Sequence, residues 1–256
     1  MQYLVCCVPV SAMKSEPSHR VETVSQQLFG EQCIFIDKAP DGWIKIEMKH
    51  DGYQGWVPRS HVNAITEQQY LSEGNRLAAG WVNEVEYNGR LMMIPMGSSL
   101  STFEENAVQW NTYAINYKGI SWTPGKEKLT GELVAEVAFK FLNTAYLWGG
   151  RSVFGIDCSG FSQMVYRFLD LALPRDAWQQ AEKGEVVNFL QEVKCGDLAF
   201  FDNEEGRITH VGILLSSNEI VHAAGKVRVD KIDTEGILNL DTGQRTHKLR
   251  IIKRYF

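Results

Sequence analysis

The stretch Tyr146–Phe161, YLWGGRSVFGIDCSGF, constrains this chain more than any other. A glycine-bearing approach leads to Asp157, Cys158, Ser159 and Gly160. In the run that follows, Phe161, Met164, Val165, Phe168 and Leu169 recur at three- and four-residue spacing. That spacing predicts a helix with one apolar face. Asp157 stands where an N-cap belongs, its carboxylate able to accept hydrogen bonds from first-turn amides. Cys158 then falls in the first turn, where the positive end of the helix dipole favours thiolate over thiol. The thiolate is the attacking form of cysteine, so the position suits a nucleophile. The competing reading is a buried structural cysteine; the polar neighbours and the glycines weigh against it.

Two histidines complete a candidate site. His210 opens the run HVGILL, His222 lies near the end of EIVHA, and Ser216-Ser217-Asn218 between them is a turn signal. A hairpin turn centred near residue 216 sets His210 directly opposite His222, with Cβ atoms about 5 Å apart. One imidazole can then act as base for Cys158 while the other orients it. A metal pair would want a third ligand, for which Cys158 could serve, and an open position; the site is read as metal-free, and no cofactor is expected.

The remaining features bound the function class. A net charge of −5, with Lys and Arg scattered, argues against a nucleic-acid surface. No apolar run reaches the length of a membrane span. The start, MQYLVCCVPVSAM, has no basic residue ahead of its apolar part and is broken by Pro9, so it reads as a first strand and not as an export signal. Five cysteines without regular spacing do not make a disulfide framework, and a reducing compartment fits them. A cytoplasmic location is expected, the alternative being an exported protein whose signal has been trimmed.

Along the chain, residues 1–66 read as short strands and turns, with Pro40-Asp41-Gly42 and Asp51-Gly52 as turn sequences. Residues 21–29 fit either a helix or a strand. GWIKIEM and DGYQGWVPRSHV within this region resemble a bacterial SH3-like domain. Residues 67–125 read as a second small β-barrel, with Asn88-Gly89 as a hairpin turn and strands over 80–82, 90–95 and 113–122. Trp122-Thr123-Pro124-Gly125 marks a boundary. Residues 126–256 then give a helix over 130–144, the Cys158 helix, and strands over 198–201, 210–215, 220–223 and 250–255. Helices followed by an antiparallel sheet define an α+β domain.

The motifs Tyr146-x-Trp148-Gly149-Gly150, Asp157-Cys158-Ser159-Gly160, Leu173-Pro174-Arg175, Gly196-Asp197-Leu198-x-Phe200-Phe201 and His210-Val211-Gly212-Ile213 occur in that order. Together they resemble the NlpC-type, papain-like cysteine peptidases of bacterial cell-wall metabolism. With two SH3-like barrels in front, the chain is similar to a narrower group, the γ-D-glutamyl-L-diamino acid endopeptidases of dipeptidyl-peptidase VI type. The resemblance implies Cys158 as nucleophile, His210 as base and His222 as the third polar residue; the Cys158 amide at the helix start, with the Tyr146 hydroxyl, is read as the oxyanion site. It implies a murein tripeptide substrate with a free N-terminal L-alanine, cleaved between D-glutamate and diaminopimelate or lysine, and a pocket lined by Tyr146, Asp157, Ser159, Asp176 and Ala177. From the first barrel it implies Tyr53 and Glu16, whose plainer readings are barrel packing and a solvated carboxylate.

Two residues depart from the pattern of that family. Cys195 replaces a common proline before Gly196-Asp197, and Ala177 replaces a frequent serine, which removes one hydrogen bond to the substrate amine. A monomer is expected. The alternatives are an acyltransferase or amidase on the same scaffold, and a non-catalytic cell-wall binding protein.

Overall fold

The computed structural model describes residues 2–256. The chain divides into two compact units. One holds residues up to Lys126 together with Trp148–Phe154, and the other holds Glu127–Leu147 and Gly155–Phe256. Among the described residues no helix is long and apolar enough to cross a membrane.

The first unit is almost entirely β, an SH3-like region followed by a second small sheet. Strands β1 (Tyr3–Cys6), β2 (Val10–Lys14), β3 (Thr23–Leu28), β4 (Gln32–Lys38), β5 (Trp43–Met48), β6 (Gln54–Pro58) and β7 (Val62–Ala64) form one antiparallel sheet in the order β3-β2-β6-β5-β4-β1-β7. A single helical turn, α1 (Glu67–Tyr70), opens with the capping box Thr66–Gln69 and leads to β8 (Leu77–Ala78). Strands β9 (Val82–Tyr87), β10 (Arg90–Pro95), β11 (Ala107–Trp110) and β12 (Tyr113–Tyr117) form a second sheet, and β13 (Ser121–Trp122) pairs with β8. Asn88 and Gly89 join β9 to β10 at φ of 50° and 77°, the two positive values that this tight hairpin turn requires. The core of this part is shared: Val5 and Phe29 from the first sheet pack with Val85, Ile94, Trp110 and Ile115 from the second.

Residues 21–29, ambiguous in sequence, contain strand β3. Their pattern misleads because Ser25, Gln26 and Gln27 are buried although polar. Gln27 donates to the Glu31 carbonyl at 3.0 Å, and the Gln26 side-chain oxygen accepts from the Arg151 amide at 2.8 Å. Arg151, in the short strand β14 (Arg151–Ser152), inserts its guanidinium into the same unit. It meets both Glu31 oxygens, at 3.0 and 3.2 Å, and both side chains are 1 % exposed.

The second unit is α+β. Helix α2 (Gly131–Phe139) starts at the Thr130 cap and stops at Phe139, short of the expected 144. Asn143 turns into the left-handed region (φ 64°) and its amide bonds to the Val227 carbonyl, which pulls the chain away from the helical path. Then come β15 (Gly155–Ile156), α3 (Cys158–Phe168), α4 (Ala177–Ala181) and β16 (Glu185–Val187). Strands β17 (Leu198–Asp202), β18 (Ile208–Ser216), β19 (Glu219–Ala224), β20 (Lys226–Asp233), β21 (Gly236–Leu238) and β22 (Arg245–Arg254) follow. The sheet order is β16-β22-β17-β18-β19-β20-β21, and β21 pairs back onto β22, so β17 to β22 form a closed ring. Ala199, Phe201, Leu214, Ile220, Ile232 and Ile237 form a core cluster of this sheet.

Removing one partner of the Arg151–Glu31 pair strands a buried charge, which typically costs about 3–5 kcal/mol. Arg151→Ala is expected to lower the denaturant midpoint of unfolding accordingly, and Arg151→Met with Glu31→Gln together is expected to cost clearly less. Equal losses in the single and double variants would show that packing, and not the unpaired carboxylate, dominates.

Candidate active site

Helix α3 places Cys158 at its first position. Asp157 caps it: the carboxylate accepts from the Gly160 amide at 2.6 Å. The same carboxylate is gripped from the other side by Arg175, at 2.5 Å to one oxygen and 3.1 Å to the other, and Arg175 also donates to the Ser159 hydroxyl at 2.9 Å. The helix is buried on nearly every side, not on one apolar face alone. Its inward polar groups are satisfied, as where Ser162 donates to the Gln180 side chain at 2.8 Å. The Cys158 thiol donates to the Thr209 carbonyl at 3.9 Å, which sets the sulfur beside the start of β18.

The histidines meet, though not in the expected register. His222 lies opposite Gly212, and His210 opposite Phe201 on β17. A bulge between Leu214 and Ser216 shifts the hairpin, so His210 and His222 are diagonal and not directly opposed. Diagonal neighbours on one face remain within reach of long side chains, and His210 Nε2 and His222 Nδ1 are 2.9 Å apart. Gly212 makes this possible: a Cβ there would sit 2.8 Å from His222 Cβ and 2.7 Å from Ile220 Cδ1.

Behind His222 stands Asp230 on β20, a residue that sequence reasoning missed. Its Oδ2 lies 3.0 Å from His222 Nε2, and the carboxylate is also held by Arg228 at 2.8 Å and by the Leu240 amide at 2.9 Å. Burial works to raise the Asp230 carboxyl, but the hydrogen bonds from His222, Leu240 and Arg228 outweigh it and hold the group at about 2. An ionised carboxylate only accepts, so His222 Nε2 carries the proton and its Nδ1 is a lone pair. His210 Nε2 must then be the donor between the rings, which leaves His210 Nδ1 as an unprotonated base. The periodicity of β20 carried the only signal for Asp230, a buried acid two residues after Arg228.

A third imidazole, His247 on β22, also escaped the sequence reading. It stacks on His210 with ring centroids 4.1 Å apart, and Thr246 Oγ1 lies 2.8 Å from its Nδ1. The ligand atoms of His210, His222 and His247 all lie within 4.8 Å of one another. Burial first, and then His247 and His222, push His210 well below the usual histidine value. Burial and then His222 bring His247 to about 4. Burial, followed by the Asp157 carboxylate, pushes the Cys158 thiol up to about 12. The helix dipole is thus overridden by desolvation, and the resting site is neutral thiol and neutral His210 in place of the expected thiolate.

The other expected residues are placed as follows. Tyr146 is half-buried, and burial first, then its nearness to Cys158 and to the Asp157 carboxylate, raise its hydroxyl. Asp157 and Ser159 are engaged by Arg175, so the charge of Asp157 is balanced and not free for a substrate. Asp176 precedes α4, its amide bonded to the Gln179 side chain, and Ala177 is buried at the start of α4. Cys195, which replaces the common proline, donates its thiol to the Gly131 carbonyl at 3.1 Å. In the first unit, Tyr53 is partly packed against the core of the first sheet, and Glu16 is exposed in the loop after β2.

A first-turn cysteine beside a carboxylate-oriented pair of histidines is a set of groups fit for nucleophilic cleavage of an amide. The NlpC/P60 family model matches residues 143–246, and that of the bacterial dipeptidyl-peptidase Sh3 domain matches residues 14–62. A γ-D-glutamyl-L-lysine dipeptidyl-peptidase of Bacillus subtilis (strain 168) is 41% identical over 222 residues, 78% of this chain and 71% of that protein. A namesake from Bacillus cereus is 26% identical over 269 residues, 90% of this chain and 76% of the relative. The crystal structure of an NlpC/P60 family protein from Bacillus cereus superposes with a TM-score of 0.77 at 19% identity over 99% of both chains, a likeness of fold. The chain belongs to the NlpC/P60 family of cell-wall cysteine peptidases.

Because the added methyl must displace His222, Gly212→Ala is expected to reduce kcat at least about tenfold while the far-ultraviolet circular dichroism stays unchanged. Undiminished kcat would show that the His210–His222 contact is not needed.

Proposed function

We propose that this enzyme hydrolyses the amide between the γ-carboxyl of D-glutamate and a diamino acid, diaminopimelate or L-lysine, in peptidoglycan stem-peptide fragments with a free N-terminal L-alanine. The observation that carries the reading is the hydrogen-bonded line Asp230–His222–His210 beside a cysteine at a helix start. The names of the two Bacillus relatives support the substrate class.

As the Cys158 sulfur forms its bond to the γ-glutamyl carbonyl carbon, its proton passes to His210 Nδ1. The positive charge that develops on the ring pair is balanced by Asp230. The tetrahedral oxyanion is held by the Cys158 amide, one of the first-turn donors a helix leaves unpaired, together with the Tyr146 hydroxyl. The C–N bond then breaks, His210 returns the proton to the departing amine, and a thioester remains. Water attacks it, giving one proton to His210; the C–S bond breaks and the thiol is restored with that proton. A neutral resting pair suits this order, because charge separation is deferred until the substrate carbonyl is in place.

For the substrate ammonium, a carboxylate partner is required if the group is to leave water. Asp157 is already balanced by Arg175, so Asp176 is the acid assigned to that task, with Ser159 and Ala177 lining the remaining wall. In this reading the protein acts as a monomer, with the cytoplasm as its expected location and an exported form as the alternative.

Cys158→Ala is expected to abolish release of the diamino acid from L-Ala-γ-D-Glu-diaminopimelate, followed by mass spectrometry, with Tm nearly unchanged; residual turnover would end the nucleophile assignment. Acetylating the substrate's amino terminus is expected to cost at least about tenfold in kcat/KM. Equal rates on the two peptides would mean that no ammonium pocket exists.

A further inference from the structure

The three imidazoles contain more ligating capacity than peptide hydrolysis requires. We propose that His210 Nε2, His222 Nδ1 and His247 Nε2 form a site for a borderline divalent metal ion of the zinc type, and that its occupancy switches the peptidase off. The effect on the peptidase rests on His210 being the base; the binding itself does not.

The cluster offers the number of imidazole nitrogens that such an ion asks for, gathered in one place. Zinc bound by imidazole at about 2.0–2.1 Å in a tetrahedron needs ligand nitrogens about 3.3 Å apart. His210 Nε2 and His222 Nδ1 are at 2.9 Å, and one nitrogen of each of the three rings falls within 4.8 Å of the others; because His247 is stacked on His210, its partly exposed ring turns out of the stack to aim a nitrogen at the ion. The surroundings orient the ligands as in metal centres. Asp230 accepts from His222 Nε2, the carboxylate–histidine arrangement that turns the other ring nitrogen toward a metal. Thr246 at His247 Nδ1 leaves Nε2 as the available atom. The backbone is fixed there too: Gly236, at φ 139°, lies so close to β22 that a Cβ would fall 1.8 Å from the His247 carbonyl oxygen.

Inhibition follows from proton placement. The ion takes lone pairs from three nitrogens. The proton that His210 Nε2 held moves to Nδ1, so the ring stays neutral and no net proton is lost. Nδ1 is then an N–H and has no lone pair to accept the thiol proton. The fourth coordination position is left for water.

Two measurements on the full-length chain test this. The first titrates Zn²⁺ against a chromophoric chelator, using wild type, Cys158→Ala, His247→Phe and His247→Gln, each checked for Tm. Cys158→Ala is expected to bind one ion as tightly as wild type, whereas both His247 variants lose at least about tenfold in affinity. The expected spectrum with Co²⁺ shows tetrahedral ligand-field bands and no thiolate charge-transfer band. Binding that survives in both folded His247 variants, or that disappears in Cys158→Ala with a thiolate band in wild type, would overturn the site. The second measurement follows hydrolysis in Zn²⁺ buffers, each variant referred to its own metal-free rate. Inhibition at the free Zn²⁺ that fills the site in wild type, shifted at least tenfold in the His247 variants, is expected; full turnover by the loaded wild type would overturn the switch.

Discussion

An imidazole has two nitrogens and, when neutral, one proton, so a histidine can act as a base at a chosen atom only if something else fixes its tautomer. In this chain the fixing group is Asp230. It is buried and ionised, pinned by Arg228 and the Leu240 amide, and accepts from His222 Nε2. Everything downstream follows by elimination: His222 Nδ1 must accept, His210 Nε2 must donate, and His210 Nδ1 is left as the base. Each link sits one strand further along, from β20 to β19 to β18. The chemistry therefore depends on sheet register, and register depends on one bulge and one glycine.

The opposing side of the site is built with comparable rigidity. Asp157 caps the helix that carries Cys158 and is at the same time clamped by Arg175, which also holds Ser159. A capping side chain alone is worth about 1 kcal/mol; adding a buried, two-pronged guanidinium contact fixes the helix start in position as well as in stability. The consequence is electrostatic. The negative charge nearest the sulfur has its own counter-charge, and what dominates at Cys158 is desolvation, which keeps the thiol neutral.

The sequence was informative where side-chain type and backbone demand coincide. Asp-Cys-Ser-Gly before an apolar run announces a capped helix with cysteine in its first turn, and Asn88-Gly89 announces a hairpin; both are found. It was uninformative where burial and polarity part company. Strand β3 hides behind Ser25, Gln26 and Gln27 because their hydrogen bonds are made inside the fold, one of them to Arg151, more than a hundred residues away. The hairpin register missed by two residues because a bulge depends on ladder geometry and leaves no mark in the composition. Asp230 and His247 were invisible for a related reason. Asp230 reaches His222 through the β19–β20 pairing, whose register the sequence does not mark, and His247 comes near His210 because the distant strand β22 pairs with β17, the neighbour of β18.

Neutrality at rest links the two roles assigned to the histidine cluster. Burial that strips His210 and His247 of any tendency to protonate leaves lone pairs exposed to whatever electrophile enters: the proton of a thiol during attack, or a metal ion. A protonated imidazole would serve neither purpose, because it has no lone pair to give. A site of this kind gains a ready general base by accepting sensitivity to divalent metal, and the third imidazole on β22 is what turns that sensitivity from a weak two-ligand contact into a coordination set.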